Sequence, residues 1–152
     1  MKEKYIADKT LKKIHIGHYI HQKVIENKID ITRICNFFNT REEEIQSFYE
    51  NEDINTTDLL RWSKLLEYDF FRIYTGHLIL YSPASKNPNS TPSELPVFKK
   101  NIYTNEVIDY LLELISKKKK TIPEVIERYK IPKTTLYKWI KKHNTNISNE
   151  NK

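Results

Sequence analysis

Ile16, Ile20 and Val24 recur every fourth residue, which predicts an amphipathic first helix over about 14–28. Asp30 is placed to cap a second, with Ile34, Phe37 and Phe38 apolar and an end at Asn39-Thr40, because asparagine tolerates the left-handed region that closes a helix. A third begins near Arg41. Thr56 or Thr57 is expected to cap a fourth, "DLLRWSKLLEYDFF", where Leu59, Trp62, Leu65 and Leu66 share one face. From 81 to 100 the pattern breaks: Pro83, Pro88, Pro92 and Pro96 stand among serines and asparagines, which predicts a linker with extended stretches. Beyond it, 105–118 reads as a helix ending in a lysine run that suits the negative end of its dipole. Thr121 caps the next, with Pro123 in its first turn, where a missing N–H costs nothing.

One spacing occurs twice. Ile34, Phe38, Ile45 and Phe48 fall at offsets 0, 4, 11 and 14, and Val125, Tyr129, Leu136 and Trp139 repeat them. The first two offsets share a face of one short helix, the last two share a face of another, and the gap leaves room for a three- or four-residue turn. That is a helix-turn-helix layout, which an ordinary helical hairpin can also show. The expected fold is all-α, two small helix-turn-helix bundles joined by a Pro/Ser/Asn-rich linker. The expected divisions are a helical domain over 1–80, the linker over 81–100, a second helix-turn-helix over 101–145 and a disordered tail over 146–152.

Charge sharpens this picture. Residues 1–98 carry 13 Lys+Arg against 14 Asp+Glu, whereas 99–152 carry 13 against 6. A codon bias toward lysine would act on both parts alike, so the asymmetry points to an anionic partner for the C-terminal third, nucleic acid ahead of a membrane surface. Cys35 is the single cysteine, there is no signal-peptide pattern, and no apolar run approaches the roughly 18 residues of a membrane span, so a cytoplasmic protein with no membrane partner is expected.

Residues 16–71 resemble the Cro/repressor (XRE) helix-turn-helix family, with Cys35 at the usual alanine position and Asn39 at the usual glycine. Residues 104–143 are similar to the N-terminal helix-turn-helix of insertion-sequence transposases, "KIPKTTLYKWIKK" matching their "GI.K.TLY.WIKK" pattern. Lys130 stands where that family's turn has glycine and Ile126 where its helix crossing has a small residue, so a wider turn is expected. With Leu136 toward the core, Trp139 and Ile140 flank it within about 60°, while Thr134, Lys138 and Lys141 lie nearly opposite, with Tyr137 and Lys142 at the edges. The resemblance then makes Thr134, Thr135, Tyr137 and Lys138 candidates for base edges, and Lys133, Lys141, Lys142 and His143 candidates for phosphates.

The N-terminal motif carries a different surface. With Ile45 inward, its outward side holds Glu43, Ser47 and Glu50 with Glu42 and Gln46 on the margin, and carboxylates repel phosphates. Arg41, Glu43, Gln46 and Ser47 are therefore weaker DNA candidates, and self-association or partner binding is the favoured use of this module. The apolar stretch "FFRIYTGHLILY", 70–81, offers either a dimer surface or a terminal helix packed on its own domain; a homodimer is expected. His15, His18 and His21 recur every third residue, but with Cys35 they lack paired zinc-ligand spacing, so no metal is expected. With no Gly-rich phosphate loop and no room for a nuclease domain, no cofactor and no catalytic residue are expected. The function implied is non-catalytic binding of double-stranded DNA, by a transcriptional regulator or by a targeting subunit that works with a separate catalytic transposase subunit. The alternative is a protein-protein adaptor using both modules.

Overall fold

Side-chain caps set most of the helix starts. The computed structural model describes residues 11–83, 94–96 and 101–150, with the side chains of 145–150 excepted, and every element of regular structure among them is a helix. In chain order these are α1 (Ile16–Asn27), α2 (Ile31–Phe38), α3 (Glu42–Glu50), α4 (Thr56–Leu65), α5 (Phe71–Tyr81), α6 (Asn105–Ser116), α7 (Ile122–Tyr129) and α8 (Lys133–Glu150). None is long and apolar enough to cross a membrane.

Several ends differ from the sequence expectation, each for a local reason. α1 starts at Ile16 because the ring of His15 accepts the N–H of His18 and caps it. α4 is capped by Asn55 rather than by Thr56 or Thr57: its side-chain oxygen accepts the Asp58 N–H at 2.8 Å, and its amide donates to the Asp58 carboxylate at 2.6 Å. The same helix stops at Leu65, followed by Glu67 in the left-handed region, instead of running on to Phe71. α6 stops at Ser116, with Lys117 as its C-cap and Lys118 left-handed. α8 continues through Glu150, where a disordered tail was expected from 146.

The chain divides into two compact units, one of residues 13–73 and the other of 1–12 with 74–152. The expected division instead kept all of 1–80 together. The difference at 74–80 comes from the buried side of α5: Gly76 leaves so little room that an added Cβ would lie 3.3 Å from Val107 Cγ2 and 3.7 Å from Leu11 Cδ1. His77 adds a 2.6 Å hydrogen bond to the Leu11 carbonyl. Most of the expected linker, 84–93 and 97–100, lies outside the described residues.

In the first unit α1 and α2 both pack on α3. The core is built on Ile16, Ile20, Ile34 and Ile45, all without exposed surface, around Trp62. The indole meets the rings of Phe38, Phe48 and Tyr49 at centroid distances of 4.5, 5.8 and 6.0 Å. Phe37, expected on the apolar face, is instead largely exposed beneath Arg61, whose guanidinium also donates to the Phe37 carbonyl at 3.1 Å. Gly17 fixes how α1 meets α3. The N–H groups of Ile16 and Gly17 donate to the carbonyls of Glu52 and Asn51, both at 3.2 Å, so the opening turn of one helix satisfies the chain leaving another.

That approach allows no side chain. A Cβ on Gly17 would lie 2.4, 2.5 and 2.6 Å from the carbonyl oxygens of Phe48, Tyr49 and Asn51, which are backbone and cannot rotate away. Gly17→Ala is expected to destabilise the first unit by about 1–3 kcal/mol, read as a lower midpoint in urea unfolding followed by tryptophan fluorescence. Gly76→Ala, which meets only side-chain methyls, should cost clearly less.

Candidate nucleic-acid interface

The segment that carries the candidate residues begins with a capping box. The Thr121 N–H and hydroxyl reach the Glu124 carboxylate at 2.6 and 2.8 Å, and the Glu124 N–H returns to the Thr121 hydroxyl at 3.4 Å. These bonds, with the charge of Lys120, hold Glu124 below the usual carboxylate range. α7 then runs eight residues, burying Val125 and Tyr129. Lys130 follows at φ 54 and ψ 34, inside the left-handed region. The turn is therefore not widened: three residues, Lys130 to Pro132, separate α7 from α8. A lysine there costs about 1–2 kcal/mol. Closing the turn buries Ile131 and Leu136 almost completely, worth about 1.5–3 kcal/mol for each such side chain. Burial wins.

α8 packs on α6 and leaves its other side in solvent. Leu136 is 0% exposed, whereas Lys133, Thr134, Tyr137, Lys138, Lys141, Lys142 and His143 are all exposed. Thr135 is half-buried, which sets it apart from the other base-edge candidates. Tyr137 keeps 47% of its surface, with the Lys133 ammonium 5.8 Å above its ring. Trp139 is half-buried rather than fully inside, and the ring of Tyr103 meets it edge-on at 4.9 Å. The first three turns of α8 thus present a continuous cationic and hydroxyl-bearing surface, over an apolar side that anchors the helix. No family model, no curated protein and no solved structure matches the chain.

The first unit repeats this local layout. Adding 91 to the residue number carries the cap Asp30 to Thr121, α2 to α7, the left-handed Asn39 to Lys130 and the start of α3 to the start of α8. The same shift carries Ile34, Phe38 and Ile45 to Val125, Tyr129 and Leu136, all buried, and half-buried Phe48 to half-buried Trp139. The outward residues change character. Glu42 becomes Lys133, Ser47 becomes Lys138 and Glu50 becomes Lys141. Arg41, Glu43, Gln46 and Ser47 are all exposed on or beside α3, in a setting where Glu42, Glu43 and Glu44 form the first turn. The two sets of candidates lie in different units.

Other reactive side chains of the first unit have packing roles. The rings of His15 and His18 stack at 3.6 Å, and His21 stacks on Tyr49 at 4.5 Å. Burial pushes the Tyr49 phenol up to about 12, with a contribution from the charge of Cys35. No group of three His, Cys, Asp or Glu side chains able to hold a metal occurs among the described residues. In the second unit, sequence reasoning gives the run from Lys117 to Lys120 only a helix-dipole role, although four successive lysines are plain in the sequence.

Thr121→Ala should lower the stability of the second unit by about 1 kcal/mol, measured by thermal melting followed by circular dichroism. The pH dependence has a defined sign. Glu124 is depressed on folding, so its contribution is complete above the unfolded carboxylate value, roughly 4.3, and is lost as pH falls through the lower folded value. The stability difference between wild type and Glu124→Gln should therefore be largest at neutral pH and shrink below that range.

Proposed function

We propose that this chain is a non-catalytic double-stranded DNA-binding protein in which α7 and α8 form a helix-turn-helix and α8 enters the major groove. In this reading both units are small helix-turn-helix bundles. The chain serves as a transcriptional regulator or as the targeting subunit of a mobile element, the two roles to which its sequence resemblances point. One observation carries the reading: Leu136 is wholly buried while Thr134, Tyr137, Lys138 and Lys141 on the same helix face solvent. A helix fits a groove about 12 Å wide, and hydroxyl, phenol and ammonium groups in its first turns are suited to base edges. Lys133, Lys141, Lys142 and His143 then lie where they meet phosphates.

The first unit serves protein contacts, self-association included. Its α3 starts where the 91-residue shift places the start of α8, but it exposes Glu42 and Glu50 at the positions of Lys133 and Lys141 and Glu43 at that of Thr134, and carboxylates there repel phosphates.

Salt dependence tests this directly. Each phosphate contact contributes about 0.9 to the slope of log affinity against log salt on duplex DNA. Lys141→Ala with Lys142→Ala should flatten that slope by about two in fluorescence anisotropy with a labelled duplex. Lys138→Ala should instead reduce discrimination between duplex sequences, by about 1–3 kcal/mol if it makes a full base contact. An unchanged slope in the double variant would favour a protein-protein adaptor.

A further inference from the structure

We infer that the loop joining α6 to α7 is a second phosphate-binding surface, in which Lys118, Lys119 and Lys120 grip the backbone of the duplex that α8 enters. The inference rests on the DNA-binding reading and adds to it a surface on a different element.

The loop is held in shape by its own backbone. The N–H of Lys118 donates to the Ile115 carbonyl at 3.0 Å, and those of Lys119 and Lys120 both donate to the Leu114 carbonyl, at 2.9 and 3.1 Å. Lys118 takes the left-handed conformation at φ 54, so the run turns sharply out of α6. Cations on a fixed turn lose little further backbone entropy on meeting an anion.

Neighbouring carboxylates do not neutralise it. Glu113 pairs with Lys117, one turn along α6. Glu124 is engaged by the Thr121 N–H and hydroxyl, leaving to Lys120 only a weaker electrostatic influence. Among the described residues none of Lys118, Lys119 and Lys120 makes an ion pair, and Lys118 and Lys119 are exposed with Lys120 half-buried. Lys117, at the C-cap of α6, already supplies a cation to the negative end of that helix dipole.

The first unit supplies an internal control. There α1 also ends in a left-handed lysine, Lys28, and the chain reaches the cap of α2 through only Ile29 before Asp30. A turn of this kind thus forms without a lysine run. In the second unit the corresponding stretch holds Lys119 and Lys120 with no acid before Thr121. The added charge is not required by the fold. Reach also fits: α7 has eight residues, so at 1.5 Å per residue its start lies about 12 Å from the turn that opens α8, close to the width of a major groove.

The test uses the full chain, a labelled mixed-sequence duplex and a KCl titration. The triple variant Lys118→Gln, Lys119→Gln, Lys120→Gln should flatten the salt slope by about 2.7, with its melting temperature near that of wild type. A control on the first unit, Lys28→Gln with Lys64→Gln, should leave the slope unchanged. An unchanged slope in the triple variant, or a fall no larger than in the control, overturns the inference while the DNA-binding reading stands. Failure of the wild-type chain to bind duplex at low salt removes that reading, and this inference with it. Should the triple variant lose its fold, Lys119→Gln alone is expected to lower the slope by about 0.9, and no change there overturns the inference.

Discussion

One residue in the left-handed region joins an eight-residue helix to the helix that packs after it, Asn39 in the first unit and Lys130 in the second. That reversal lets Ile34, Phe38 and Ile45 all be buried across a three-residue turn, and likewise Val125, Tyr129 and Leu136. Asparagine adopts this conformation readily because its side chain bonds locally. Lysine does not, and its cost is offset by the apolar surface that the turn allows the second unit to bury. From this reversal follows the outward side of the next helix: once Ile45 or Leu136 is committed to the interior, helical geometry decides which residues face solvent.

The same backbone arrangement then carries opposite surfaces. The cap and length of the first helix, the turn and the start of the second helix keep a constant 91-residue shift, while Glu42 and Glu50 are matched by Lys133 and Lys141. Packing constrains the inner positions of such a helix and leaves its outer positions to be set by what they meet. An acidic surface and a basic one on the same layout are suited to different partners, protein for the first unit and duplex DNA for the second in the function proposed here. In the inference drawn above, the lysine loop before α7 adds cations to those of α8.

Periodicity made the buried positions legible, since Ile16, Ile20, Ile34, Phe38, Ile45, Val125, Tyr129 and Leu136 all lie inside. Exposure of the C-terminal candidates was legible in the same way, except at Thr135, which neighbouring packing half covers. What the sequence hid depends on tertiary contact or on competition between near equals. Asn55 and the threonines after it are all good caps, and only the bond to Asp58 selects among them. α5 reads as an apolar helix, but the grouping of its residues from Tyr74 onward with the second unit depends on Gly76 lying against Val107 and Leu11. Gly17 is visible as one of two glycines, yet its need for a bare Cα arises from three carbonyls more than thirty residues away. Lys130 misled because local propensity opposes the left-handed region and apolar burial overrides it.

Amide chemical shifts of the full chain, followed as a mixed-sequence duplex is added at low ionic strength, test the central claim most directly. The account predicts that the largest changes fall between Lys117 and His143, concentrated on α8 and the loop before α7, with α3 unaffected. Changes confined to α3 and its neighbours, or no changes at all, would contradict it.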